Sequence, residues 1–243
     1  MESGTSRRFC REYLCCGFCI LRKCFPTVPN TSGRYKEKQK RCGCYYISDE
    51  ITAEIERLVW QADEKLHEPT ASALNQIGSA QIHPGDEAPI LLAGDGGIAC
   101  AWRRWGFPLP QGQKKGLVFN ARCESAAEKP FFSQGLRHRR AVIPAAAFYE
   151  WDRTKTKYTF RKEDQKALFM AGCCRYYGDG EHFVILTTGA NSSMEPVHDR
   201  MPLLLEGDEV ASWILDGRKT EEILRKVPFL LERSAEYEQM RFF

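Results

Sequence analysis

From Ile90 to Thr188 the chain is a succession of short apolar runs, each broken by glycine, proline or charge before it reaches helical length. Ile90-Leu-Leu-Ala93 meets Gly94-Asp-Gly-Gly97 and resumes as Ile98-Ala-Cys-Ala-Trp102, the pattern of two strands joined by a hairpin. Similar runs at residues 116–120, 140–144, 158–161, 167–173 and 183–188 predict further strands. Helical spacing appears mainly outside this region. Ile51, Ile55, Leu58, Val59 and Ala62 predict a helix from about 49 to 66, with Ser48 as N-cap and Asp49 and Glu50 in its first turn. Shorter helices are expected over 208–215 and 221–226. Many strands without regular βαβ alternation predict an α+β domain with a curved, mainly antiparallel, barrel-like sheet and peripheral helices.

Residues 1–41 are a different material. They hold ten Lys/Arg and three Glu, a net of +7, which leaves −4 for the rest of a chain whose formal charge is +3. The turn-rich Phe25-Pro-Thr-Val-Pro-Asn-Thr-Ser-Gly33 and the charge run 36–41 read as a disordered, basic, Cys-rich leader before a single domain at 42–243. With −4 the body is no polycation, so any nucleic acid must meet a local patch. Residues 103–140 offer one, with nine Lys/Arg against two Glu, interleaved with Trp105, Phe131 and Phe132. By charge alone this stretch reads better as a solvated face. The apolar run 13–21 is too short to cross a bilayer and lacks a small-residue cleavage site, so neither membrane nor secretion is expected. Eleven cysteines, an odd count without a signal peptide, point to a reducing, cytoplasmic setting. Cys16 and Cys19 form one C-x-x-C without a second pair, so no metal site is expected.

Four segments carry chemistry-bearing groups. Cys42-Gly43 opens the domain. A terminal Cys has two nucleophiles on one residue, an α-amine with a reference pKa of about 7.7–8.0 and a thiol near 8.5. The amine forms an imine with an aldehyde, and the thiol closes it to a thiazolidine. Within a chain the nitrogen is an amide and the reaction stops. Gly43 permits close backbone approach. Asn120-Ala-Arg-Cys-Glu124 places Asn120, Arg122 and Glu124 on one face if the strand continues. In Ile143-Pro-Ala-Ala-Ala-Phe-Tyr-Glu-Trp151, Glu150 lies between two aromatics, a setting that raises a carboxylate pKa and suits proton transfer. Val197-His-Asp-Arg-Met-Pro202 presents His198 beside charge in a loop. Taken singly, each has a structural reading: Asn120 ends a strand, Glu150 pairs with an arginine, and His198 holds a turn.

Together, Cys42-Gly43, Trp105-Gly106, Asn120-Ala-Arg-x-Glu124, Ile143-Pro-Ala-x-x-Phe-Tyr-Glu-Trp151 and His198-Asp-Arg-Met-Pro202 resemble, in order and spacing, the SOS-response-associated peptidase family, also called abasic-site processing proteins. The resemblance covers residues 42 to the C-terminus. It implies a partner, single-stranded DNA with abasic sites, and a covalent thiazolidine between an exposed N-terminal Cys42 and the opened sugar. It implies that Asn120 orients the cysteine and sugar, Glu150 moves protons, and His198 donates a proton during ring opening. Arg122 and Arg200 would hold DNA phosphates and Trp105 would line the DNA path. No cofactor is implied, and a monomer is expected.

Three departures from the family pattern stand out. Cys44 replaces a common Arg, which should weaken DNA binding and its salt dependence. Ala147 replaces a common Gly, costly if that backbone needs positive φ. Arg41 precedes Cys42, so loss of Met1 cannot expose the cysteine; a host protease, or autoproteolysis by the Cys42 thiol assisted by Glu150 or His198, would have to. The alternatives are a degenerate DNA-binding relative and a cysteine peptidase acting on other proteins.

Overall fold

The computed structural model describes residues 43–62, 72–110, 116–164 and 166–235. Cys42, the leader, Lys114, Lys115 and the expected end of the first helix at Leu66 lie outside the described residues. Strands β1 (Cys44–Ile47) and β2 (Ala80–Ile82) precede the expected hairpin, β3 (Glu87–Gly94) and β4 (Gly97–Trp105). Three short strands follow, β5 (Phe107–Pro108), β6 (Leu117–Val118) and β7 (Asn120–Arg122). Next come β8 (Arg140–Ala145), β9 (Ala147–Trp151), β10 (Lys157–Arg161), β11 (Leu168–Tyr177) and β12 (Gly180–Gly189). The last strands among the described residues are β13 (Arg200–Pro202), β14 (Leu204–Leu205) and β15 (Glu232–Ala235).

Five of these close a barrel. β4, β3, β8, β11 and β12 pair antiparallel in turn, and β12 returns to β4 in parallel, His182 opposite Arg104. β7 and β13 add to β12, at Ile185–Thr187 and Thr187–Gly189. The smaller sheet runs β2-β1-β9-β10-β15, antiparallel throughout. Only Ala146 separates β8 from β9, and its N–H bonds Tyr46 O at 2.8 Å, so one nearly continuous strand passes from the barrel into the second sheet. The α+β class and the barrel-like sheet expected from the sequence are what the chain forms.

Trp105 and Gly106 fasten the barrel. The indole is 2% exposed, stacks parallel on Phe183, lies 5.2 Å from Tyr45, and donates from Nε1 to Phe119 O at 2.9 Å. Gly106 has φ +114°, and a Cβ there would lie 3.1 Å from Leu117 Cβ. An L side chain is doubly excluded. This corrects the expected role of Trp105: a ring buried among three aromatics does not line a DNA path.

The helices pack around the sheets as α1 (Thr52–Ala62), α2 (Cys123–Ala126), α3 (Pro130–His138), α4 (Gly207–Leu215) and α5 (Thr220–Leu224). Asp49–Ile51 form a 3-10 turn before α1. Ser48 makes no side-chain cap there; its Oγ is buried without a partner. α3 is not among the helices expected from the sequence, and its interior Gly135 is a poor helix former. It is needed because a Cβ would lie 2.6 Å from Cys174 O on β11. Tertiary packing overrides propensity here.

Arg140 ties two helices to β8. Its Nε donates to Trp213 O at 2.5 Å, Nη1 to Leu136 O and Arg137 O at 3.0 and 3.1 Å, and Nη2 to Ile214 O at 3.3 Å. These are last-turn carbonyls of α3 and α4, where the helix dipoles end negative. Replacing Arg140 by Met strands buried acceptors and removes charge-assisted bonds. Urea denaturation is expected to show a loss of about 2–4 kcal/mol with the slope m unchanged.

Candidate active site

The register of β1 on β9 sets Cys44 opposite Tyr149 and brings Gly43 to Glu150. A Cβ built on Gly43 would lie 3.0 Å from Glu150 Oε1 and 3.6 Å from Tyr149 O. Any larger residue at 43 pushes on that carboxylate. The residue joined to Gly43 has its Cα about 3.8 Å from that of Gly43. Cys42 is outside the described residues, but its attachment point touches Glu150.

Glu150 is half-buried and, among the described residues, has no ion pair with Lys or Arg. Burial raises its carboxyl pKa, opposed by the charge of His198 and by a hydrogen bond from the Trp151 N–H. The cause differs from the expected aromatic sandwich. Strand alternation directs Tyr149 and Trp151 to the opposite face, and Glu150 shares its face with Phe148 and Tyr45, the latter 1% exposed.

His198 comes from the turn between β12 and β13. Its Nδ1 lies 3.0 Å from the Arg200 N and 3.2 Å from the Arg200 O, so one ring nitrogen faces both a main-chain donor and a main-chain acceptor. The same Nδ1 lies 3.3 Å from the Asp199 carboxylate, which would receive its proton in the imidazolium form. The turn is clamped by Asn191, whose Nδ2 donates to Pro228 O at 3.0 Å and Phe229 O at 2.8 Å. Its Oδ1 accepts from the Ser193 N–H at 3.1 Å and the Ser193 hydroxyl at 2.6 Å. Asn191 was not among the sequence candidates; the signal was Asn-Ser-Ser, a local side-chain turn pattern.

On β7 the expected alternation holds for three residues: Asn120 and Arg122 are exposed and Ala121 buried. Then the strand stops. Glu124 lies in α2 and turns its carboxylate to Arg200, with Nη1–Oε1 at 2.6 Å and Nη2–Oε2 at 2.9 Å. This pairing holds the Glu124 carboxyl below the usual range, the Arg200 hydrogen bonds being the main cause. Among the described residues Arg122 has no ion pair. Trp151, next to Glu150 in sequence, is 37% exposed on the opposite face of β9.

The departures are accommodated. Cys44 is 3% exposed and accepts from Gln81 Nε2 at 3.1 Å; burial pushes its thiol pKa up, so it brings no charge. Lys157 acts on it from β10, with Nζ 4.2 Å from the Tyr149 ring centroid. Ala147 has ordinary strand backbone, for Lys155 is the residue other than glycine with positive φ among those described. Four of the nine cations in the basic stretch are committed elsewhere. Arg103 and Arg139 share the buried Glu181, Arg104 faces Glu87 at 3.5 Å, and Arg140 is held by carbonyls. Arg104 pairs with His182, five residues along β12 from Thr187, which pairs with Arg122. That separation is about 17 Å.

Among the described residues no group of three or more His, Cys, Asp and Glu can hold a metal, and no helix is long and apolar enough to cross a membrane. The SOS response associated peptidase (SRAP) family model matches residues 41–242. Abasic site processing protein YoaM of Bacillus subtilis is 38% identical over 136 residues, 51% of this chain and 60% of that relative. Abasic site processing protein YedK of Escherichia coli is 29% identical over 157 residues, 60% of this chain and 70% of the relative. The chain thus spans less than two thirds of the length of YoaM. A solved structure of a protein from Bordetella bronchiseptica superposes with a TM-score of 0.62 at 22% identity, covering 80% of this chain and 99% of that one, which establishes a shared fold. The chain belongs to the SOS response associated peptidase family.

The raised Glu150 pKa has a consequence for stability. The native state holds this proton more tightly than the unfolded chain, so stability falls as pH rises from the ordinary carboxylate value through the raised one. Glu150→Gln is expected to be more stable than the parent at neutral pH, with the difference vanishing in acid. Urea midpoints across that range check it; equal midpoints at neutral pH would contradict it.

Proposed function

We propose that this chain is an abasic-site processing protein that couples covalently to the opened sugar of an abasic site in single-stranded DNA through an N-terminal Cys42, once residues 1–41 are removed. The observation that supports the reading is the approach of Glu150 Oε1 to Gly43, the residue to which Cys42 is joined, by a carboxylate whose pKa burial raises.

Each group has a step in this reading. His198, as an imidazolium, protonates the sugar ring oxygen while the C1′ hydroxyl gives up its proton to water, and the ring opens to the aldehyde. The neutral Cys42 amine attacks C1′. Glu150 takes a proton from that nitrogen and returns it to the carbinolamine hydroxyl, which leaves as water. The thiol then adds across the imine carbon and its proton passes to nitrogen, closing the thiazolidine. The balance is aldehyde plus aminothiol giving thiazolidine plus water, without redox change or cofactor. Asn120, exposed at the head of β7, orients the opened sugar. Arg122 is the cation for a phosphate.

Exposure of Cys42 belongs to the same proposal. Its thiol attacks the Arg41 carbonyl, Glu150 or His198 passes the proton to the departing Cys42 nitrogen, and water then hydrolyses the thioester, which releases the leader as the Arg41 carboxylate and frees the Cys42 thiol. The requirement for terminal chemistry favours this reading over a peptidase acting on other proteins. The retained carboxylate geometry favours it over a degenerate DNA-binding relative.

Incubation with an abasic oligonucleotide, followed by heat and denaturing electrophoresis, tests it. The Cys42-terminal protein should give a heat-stable adduct, and Cys42→Ser none. Glu150→Gln should slow adduct formation by about 10²–10⁴-fold, the range for a lost proton-transfer group. Equal adduct with Cys42→Ser would overturn the assignment.

A further inference from the structure

We infer that Tyr158 is a positioning residue of the site: its ring stands between Glu150 and the guanidinium of Arg233 and keeps the proton-transfer carboxyl unpaired. The inference rests on the role proposed for Glu150.

Strand pairing puts the three residues on one face. Glu150 on β9 lies opposite Tyr158 on β10, and Tyr158 lies opposite Ala235 on β15. Directly opposed side chains share a face, with Cβ atoms about 4.5–5.5 Å apart. Glu150 and Tyr158 are therefore neighbours at the rim of a core formed by Tyr45, Phe148 and Phe160, all buried. Arg233 pairs with Phe160, two residues along β10 from Tyr158, and so shares that face. Its guanidinium lies 5.7 Å from the Tyr158 ring centroid. Arg233 is exposed and, among the described residues, has no ion pair.

Charge alone would bring Arg233 to Glu150. By strand spacing and rise their Cα atoms are about 12 Å apart, a span that an extended arginine and glutamate cover together. They stay apart because β10 lies between β9 and β15 and presents a ring in that row. The ring is half-buried against the core, and its hydroxyl donates to the Asp152 carboxylate, so it is held at both ends. Asp152 in turn accepts from the Thr154 hydroxyl at 2.7 Å and from the Thr154 and Thr156 N–H groups at 2.8 and 2.9 Å, which fixes it to the β9–β10 turn. The other titratable groups around Glu150 are few. His198 faces it from the β12–β13 turn, and its charge opposes the effect of burial. Tyr45, from β1, is kept neutral by its own burial. Cys44 and Lys157 lie on the other face of the sheet, opposite Tyr149 and Trp151. With the ring gone, Arg233 would supply the opposite charge that lowers a carboxyl pKa by about 1–3 when it comes within about 4–6 Å. A carboxylate so paired is a poorer acceptor for the Cys42 amine proton, because proton-transfer efficiency follows pKa.

The test reads the titration midpoint of Glu150 by NMR of isotope-labelled glutamate in the full chain, its resonance assigned by loss in Glu150→Gln. Tyr158→Phe keeps the ring and should keep the parent midpoint, and Arg233→Ala should do the same. Tyr158→Ala should lower the midpoint by about one pH unit or more. Tyr158→Ala/Arg233→Ala should recover most of that drop. Tyr158→Thr, a short strand former, takes the place of alanine if that variant does not fold. After removal of residues 1–41, Tyr158→Ala should couple to an abasic oligonucleotide more slowly than Tyr158→Phe at neutral pH. A Tyr158→Ala midpoint equal to the parent's, a double variant as low as Tyr158→Ala, or equal coupling by Tyr158→Ala and Tyr158→Phe would overturn the inference. A parent that does not couple refutes the proposed function and with it the positioning role, whatever the midpoints. A parent that couples while Tyr158→Ala titrates as it does refutes this inference alone.

Discussion

The ladder between β1 and β9 is the constraint on which the rest depends. It places the backbone of residue 43 against the Glu150 carboxylate, with no room for a side chain between them. β9 reaches that position because it continues β8 out of the closed barrel, so the rigidity of a ring without edges is passed to the strand that carries the carboxylate. The result is a carboxyl group with a raised pKa at the point where the domain's first cysteine is attached.

Around that point the protein uses its charges mostly on itself. Glu181 is shared by Arg103 and Arg139, Glu124 holds Arg200, and Arg140 caps two helices. A buried charge costs less when it is paired, and breaking one partner costs more than the pair contributes. Four of the nine cations in the basic stretch, Arg103, Arg104, Arg139 and Arg140, are engaged in this way. Arg122 is a cation that stays exposed and, among the described residues, without an ion pair. Weak, local contacts suit a protein whose proposed hold on DNA is a covalent bond.

Much of the fold was legible because apolar runs of strand length were cut by glycine, proline and charge; the β3–β4 hairpin and the long strands β11 and β12 fall where those runs lie. The candidate site was legible as a set of segments but not as a constellation. Sequence placed Asn120 and Arg122 on one face, yet carried Glu124 with them, because nothing in Asn-Ala-Arg-Cys-Glu signals that the strand ends and a helix begins. Trp105 looked like a surface ring because it sits among arginines; alternation on β4 sends Arg104 outward and Trp105 inward, and only the closing pair with β12 decides which is which. Arg200 looked free because its partner lies 76 residues away. Long-range pairing of this kind leaves no trace in local pattern.

The central claim is that both nucleophiles of a terminal Cys42 are used beside Glu150. The most direct measurement is the intact mass of the protein beginning at Cys42 after incubation with an abasic oligonucleotide, beside the same protein with its α-amine acetylated. The account predicts a species equal to protein plus oligonucleotide less one water, and none from the acetylated chain. Equal coupling by the acetylated chain, or no coupling by the free one, would contradict it.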